Sequence, residues 1–267
     1  MKDLRMRRLF NNSSSKLLMI PLDHGVTMGP IKGLDNIRET VGIIAKTPVN
    51  AVVLHKGNIH LCREILRKNK DLSVVLHLSA SVGFSPNSER KVLVACVEEA
   101  ARLGVDAVSI HVNLGNEFDY HMINDFGHIS NECEKWGIPL LAMMYPRGKG
   151  IDGKDINLNM VAARVAMEIG ADMVKINYTG DKKSFEKIIK GVNIPVVIAG
   201  GEFDDDSQKF LNNIKDAMDV GARGVAIGRN IFQRHDMEMY ISAIHSVVNQ
   251  DVKISDALKN IQRRKIV

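Results

Sequence analysis

The sequence predicts an α/β fold, a single (β/α)8 TIM barrel running over residues 1–267. Three observations predict it. The length of 267 residues suits one barrel with one large core. Short β-branched or apolar runs alternate with longer helical patterns along the whole chain, as consecutive βα units require. Glycines stand where helical patterns stop, and each feeds the next run directly.

Eight runs follow one another in order. KLLMIPLD (16–23) is the first, an apolar stretch closed by Pro21, Leu22 and Asp23. NAVVLH (50–55) and SVVLHLS (73–79) are Val/Leu runs with a histidine near the end. DAVSIHV (106–112) and PLLAMMY (139–145) follow Gly104 and Gly137 in the peptides GVDAV and GIPLL. DMVKIN (172–177) follows Gly170 in GADMV, PVVIAG (195–200) opens on a proline, and RGVAIG (223–228) follows Gly221 in GARGV. The shared grammar of these peptides reflects a helix C-terminal glycine entering a buried strand, so it repeats architecture and not function. Successive runs start roughly 23 to 34 residues apart, which leaves room for one crossover helix each. An open doubly wound sheet is the alternative architecture, but it usually carries about five to seven strands and often a glycine-rich turn after the first.

Composition narrows the function classes. Hydrophobic residues at 45% and charged residues at 25% are ordinary for a globular protein, and no apolar run approaches the roughly 18 residues of a membrane span. The opening MKDLRMRRLFNNSSSK is basic and then polar, without the apolar stretch of a secretory signal, so a cytoplasmic protein with no membrane partner is expected. Cys62, Cys96 and Cys133 are scattered, which points to buried free thiols and away from a disulfide framework or a thiolate zinc site. The net charge of +5 is spread along the chain except at the termini, which fits small anionic substrates better than nucleic acid.

In a barrel of this kind the reacting groups project from the C-terminal ends of the strands. Those positions are polar here: Asp23 and His24, His55 and Lys56, His77 and Ser79, His111 and Asn113, Tyr145 and Arg147, Lys175 and Asn177, Gly200 and Gly201, and Gly228 and Arg229. Strand alternation puts Lys175 on one face with Met173 and Asn177. Enclosure near other cations lowers a lysine's proton affinity and frees its amine to attack a ketone, whereas a lysine at a strand end can also simply reach solvent. Tyr145 is either a proton shuttle or a core tyrosine, and Asp23 either a base or hydroxyl holder or the cap of a loop. AGG (199–201) and IGR (227–229) follow the last two strands, where barrels often bind phosphate through glycine amides, with Arg229 adding a charged contact.

Four strand-end histidines, His24, His55, His77 and His111, raise a metal-dependent enzyme as a competing reading, but compact HxH or HExxH spacings are absent and a metal does not account for Lys175 beside Tyr145. Otherwise they contact substrate or belong to the core. Lys56, Arg147 and Lys149 are either anion holders or surface cations. A non-catalytic sugar-phosphate-binding protein on the same fold is a third reading.

PLDHG, HVNLG, MMYPRG, DMVKIN, AGG and AIGRNIF occur in an order that resembles the archaeal-type (DhnA-like) class I aldolases over nearly the full chain. The resemblance implies that Lys175 forms a Schiff base, Tyr145 donates a proton, Asp23 with His24 beside it serves as acid/base partner, and Gly200, Gly201, Gly228 and Arg229 hold phosphate. Arg147 and His111 are expected to contact substrate. It implies a phosphorylated keto-sugar and an aldehyde as substrates, no cofactor and no metal, and a homo-oligomer, commonly a decamer. The reaction implied passes a three-carbon ketone from 6-deoxy-5-ketofructose 1-phosphate to L-aspartate 4-semialdehyde, toward aromatic amino acids. Related condensations of the group use dihydroxyacetone phosphate with the same aldehyde, or cleave fructose bisphosphate.

Overall fold

Eight parallel strands close into a barrel in the computed structural model of the chain, which describes residues 1–10 and 14–263. Residues 11–13 of the polar opening segment, and the last four residues of the expected 1–267 span, lie outside the described residues. The strands are β1 (Leu17–Pro21), β2 (Ala51–Leu54), β3 (Ser73–His77), β4 (Ala107–Leu114), β5 (Leu140–Pro146), β6 (Met173–Ile176), β7 (Val196–Ala199) and β8 (Gly224–Ala226). Each pairs with its sequence neighbour, and β1 pairs with β8 through Leu17 opposite Gly224 and Met19 opposite Ala226. Six fall inside the apolar runs of the sequence, while β4 and β5 start in theirs and extend past them to Leu114 and Pro146.

Alternation divides each strand between two cores. Leu17, Met19, Ala51, Val53, Val75, Ala107, Leu141, Met143, Met173, Val197 and Ala226 form one buried cluster, the filling of the barrel. Their neighbours Leu18, Val52, Leu76, Val108, Ala142, Val174, Ile198 and Val225 belong to the larger cluster shared with the helices. The interior series continues upward along the same faces to polar groups, so the mouth of the barrel is chemically distinct from its packed base.

At that base the strands are tied in register by side chains standing just before them. Asn50 accepts from the Leu18 amide at 2.8 Å, Asp106 from Val74 at 2.9 Å and Asp172 from Leu140 at 2.8 Å. The stop glycines behave as their sequence context demands: Gly104 and Gly137 are left-handed, at φ of 71° and 63°, each ending a helix.

Three features depart from expectation. Lys2–Leu9 forms a helix whose Leu9 is fully buried against the floor of the barrel filling, while Arg8 and Lys2 pair with Asp106 and Asp172. After β3 the chain makes a short antiparallel hairpin, Ser79–Ala80 with Val92–Leu93, before its helix at Val97–Leu103. Cys62 and Cys133 are buried free thiols, but Cys96 is exposed, because it stands at the turn between that hairpin and the following helix. No helix among the described residues is long and apolar enough to cross a membrane.

Candidate active site

The strand ends surround a cavity of about 390 Å³, within the size range of small-molecule sites. Asp23 and His24 reach it from β1, Tyr145 and Arg147 from β5, Lys175 from β6, Gly200 and Gly201 from β7, Gly228 and Arg229 from β8, and His111 from β4. His55, His77 and Asn177 line it as well. Every site residue expected from the sequence therefore borders one space.

Lys175 stands level with Met143 of β5 and Val197 of β7 in the ladder. It is 7% exposed, and its ammonium lies 5.9 Å from the centre of the Tyr145 ring. No described carboxylate forms an ion pair with it. The face of Tyr145 is shared: His111 meets it edge-on at 4.9 Å, and the Arg147 guanidinium lies 5.9 Å from its centre.

Asp23 gathers the opposite charge. Burial alone would raise its carboxyl, but the positive fields of His77, His24, Lys175 and His55 outweigh that and hold it far below the ordinary carboxylate range. Its Oδ2 lies 3.6 Å from Nε2 of His77, and its buried Oδ1 makes no hydrogen bond. His77 is itself lowered to about 4, chiefly by burial, with its Nδ1 held by Ser109 Oγ at 2.8 Å. At neutral pH an ionised carboxylate thus sits beside a neutral imidazole. Burial also lowers His24, His55 and His111.

The glycine loops are built for close approach. A Cβ on Gly228 would come within 2.6 Å of the His24 ring, and one on Gly200 within 3.0 Å of the Ile227 backbone. Asn230, fully buried, clamps these loops together: its Nδ2 donates to the carbonyls of Gly200 at 2.9 Å and Glu202 at 2.6 Å, and its Oδ1 accepts from the Asp204 amide at 2.8 Å. Beside them the buried Nε of Arg229 has no hydrogen-bond partner, while its Nη1 lies 3.7 Å from Glu202.

The cavity brings a buried amine together with a phenol and a carboxylate, the kinds of group that a Schiff-base aldolase uses. Residues 17–234 match the family described as DeoC/LacD family aldolase. The chain belongs to this family. This aldolase is 42% identical over 237 residues to a Streptomyces griseus protein named 2-amino-4,5-dihydroxy-6-oxo-7-(phosphonooxy)heptanoate synthase, a match covering 88% of this chain and 85% of that one. It is 37% identical over 260 residues to the Archaeoglobus fulgidus 2-amino-3,7-dideoxy-D-threo-hept-6-ulosonate synthase 1, with 97% and 95% coverage. A solved Schiff-base-forming fructose-1,6-bisphosphate aldolase superposes with a TM-score of 0.83 at 28% identity, covering 93% of this aldolase and 100% of that chain.

Of the three mouth cations considered from sequence, Arg147 alone borders the cavity. Lys56 pairs instead with Glu99 at 3.2 Å, and Lys149 is exposed. Among the described residues, no group of three or more His, Cys, Asp or Glu side chains is arranged to hold a metal. Sequence reasoning missed Lys91, Ser81, Thr27 and Glu202, all on the cavity wall, and the clamp Asn230. Lys91 lies in an aperiodic loop without any motif. The asparagine in the motif AIGRNIF was a signal left unread.

Proposed function

We propose that this aldolase joins a ketone fragment to L-aspartate 4-semialdehyde through a Schiff base on Lys175, acting as a 2-amino-3,7-dideoxy-D-threo-hept-6-ulosonate synthase with 6-deoxy-5-ketofructose 1-phosphate as donor. The observation that carries the reading is the Lys175 amine, buried without an ion-pair partner, beside Tyr145 and within the field of the ionised Asp23 in one cavity. The names of the two relatives, both synthases of seven-carbon 2-amino acids, support the substrate class.

The amine adds to the donor ketone, water leaves, and the iminium accepts the electron pair of the adjacent C–C bond as that bond breaks. The departing fragment becomes an aldehyde, and the fragment left on Lys175 becomes an enamine. Its nucleophilic carbon then bonds to the carbonyl carbon of the acceptor, and hydrolysis of the new iminium returns the amine. Tyr145 donates and recovers the proton of the carbinolamine hydroxyl, and Asp23 accepts the proton of the hydroxyl at the breaking bond, with His24 beside it. Gly200, Gly201, Gly228 and Arg229 hold the donor phosphate, and remote binding energy of this kind orients the reacting carbons. His111 and Arg147 face the substrate over the Tyr145 ring. The protein works without cofactor or metal in this reading, in the cytoplasm, as a homo-oligomer such as a decamer.

A second reading has one observation in its favour: the name of the 42% identical relative describes a product that still carries a phosphonooxy group. Dihydroxyacetone phosphate would then be the donor. Incubation with aspartate semialdehyde and each donor in turn, followed by product mass, separates the two. Borohydride added with the donor is expected to leave a reduced adduct on Lys175 and none in Lys175→Ala. Full turnover by Lys175→Ala would remove the mechanism.

A further inference from the structure

Lys91 is a second lysine in the cavity wall, and nothing in the reaction above uses it. It comes from the loop after the Ser79–Ala80 strand, is 8% exposed, and forms no ion pair with any described carboxylate. An ammonium has three N–H donors. Lys91 gives one to Ser81 Oγ and one to the Ser88 carbonyl at 3.2 Å. Neither partner carries charge, and Glu89 and Asp23 act on the ammonium only through their fields, so no carboxylate touches the buried cation, an arrangement that is costly unless an anion arrives.

Its position gives that anion a place. In a ring of eight strands β3 stands opposite β7. Lys91, on the loop following β3, and Gly200 and Gly201, after β7, therefore border the cavity from opposite arcs of the ring, with Lys175 and Tyr145 on the β5 and β6 arc between. Arg147 is close enough to act on Lys91 through its field, and Glu89 steadies that guanidinium at 3.8 Å. The cavity thus has two cationic poles: the glycine loops with Arg229 at one end, and Lys91 with Arg147 at the other.

We infer that Lys91, helped by Arg147, is the recognition site for the carboxylate of the acceptor aldehyde, so that this enzyme selects an amino-acid semialdehyde over an uncharged aldehyde. The inference rests on the proposed reaction for its substrate class, but the pole itself can be tested without turnover. Once the phosphorylated fragment has left the glycine loops, an acceptor anchored at the opposite pole lies with its aldehyde toward the enamine on Lys175. One remaining N–H on a point charge suits a small carboxylate better than a phosphate, which favours several donors at once.

L-2-Aminobutyrate, which has the acceptor's carboxylate and amine but no aldehyde, is titrated calorimetrically against its amide, in which an uncharged group replaces the carboxylate. The wild type is expected to bind the carboxylate at least tenfold more tightly. Lys91→Met and Lys91→Gln are expected to erase that preference, and Lys91→Arg to keep part of it. In turnover, Lys91→Gln is expected to raise the KM for aspartate semialdehyde tenfold or more while leaving that for propanal within about twofold. A wild type that binds acid and amide alike, or a Lys91→Gln protein that keeps the preference, overturns the assignment. So does a loss of inorganic phosphate affinity in Lys91→Gln with aminobutyrate affinity unchanged. Borohydride trapping of the donor is run in parallel: its failure would remove the Schiff-base reading, while the titration would still decide the role of Lys91.

Discussion

Asn230 shows how one side chain can serve a site it does not enter. Its side chain makes three hydrogen bonds, all to the backbone of the β7 loop, at Gly200, Glu202 and Asp204. Glycines in that loop permit close approach to an anion but supply no rigidity of their own, so the clamp fixes where their amides point. Replacing it by alanine removes the donor to the Gly200 and Glu202 carbonyls and the acceptor for the Asp204 amide, all in part-buried bonds, and frees the loop to move. Asn230→Ala is therefore expected to bind inorganic phosphate at least tenfold more weakly, while borohydride trapping of an unphosphorylated ketone is little changed. Phosphate affinity equal to wild type would show that the loop holds its shape unaided.

Among the secondary-structure elements, the Lys2–Leu9 helix closes the floor opposite the active mouth. Leu9 packs with Leu17, Met19 and Val53, and Arg5 donates to the Val105 carbonyl at 2.5 Å. Truncating a buried leucine leaves a cavity costing about 2–5 kcal/mol. Leu9→Ala is expected to lower the unfolding free energy by that order while the folded protein keeps its turnover, and an unchanged unfolding free energy would remove the helix from the core. This element was not legible in the sequence, because KDLRMRRL carries a charged and weakly apolar pattern and its few apolar residues gain meaning only against strands far along the chain. The eight strands were legible because a strand buried on both faces needs an unbroken apolar run. The residues that border the cavity were legible because barrel geometry says which end of each run reaches the mouth. The loop bearing Lys91 was not, since long-range contacts set its path: Thr27 Oγ1 donates to the Ser81 carbonyl at 2.9 Å.

Across the whole molecule, proton uptake couples the mouth to stability. His24, His55, His77 and His111 all titrate below an ordinary histidine, principally through burial, and His245 does too. The folded chain then binds fewer protons than the unfolded one between about pH 4 and 6.5, so stability rises with pH through that window and is lost as pH falls. The lowered carboxyl of Asp23 acts in the same direction at still lower pH. From pH 7.5 to pH 5, His77 alone is expected to contribute about 2 kcal/mol of lost stability, a drop in melting temperature of roughly 4 to 8 °C. A melting temperature flat across that range would mean the histidines are not shielded as described. His77→Asn is expected to flatten part of the slope.

The seam between β1 and β8 joins Leu17 to Gly224. A ribosome making this chain releases the first strand long before its last neighbour exists, so the nascent barrel must wait as an open, curved sheet with a bare edge on Leu17–Pro21. Unpaired edges of this kind invite pairing with other chains. Pairing of β8 with β1, not the assembly of any early part, is therefore the step that leaves the sheet without an edge.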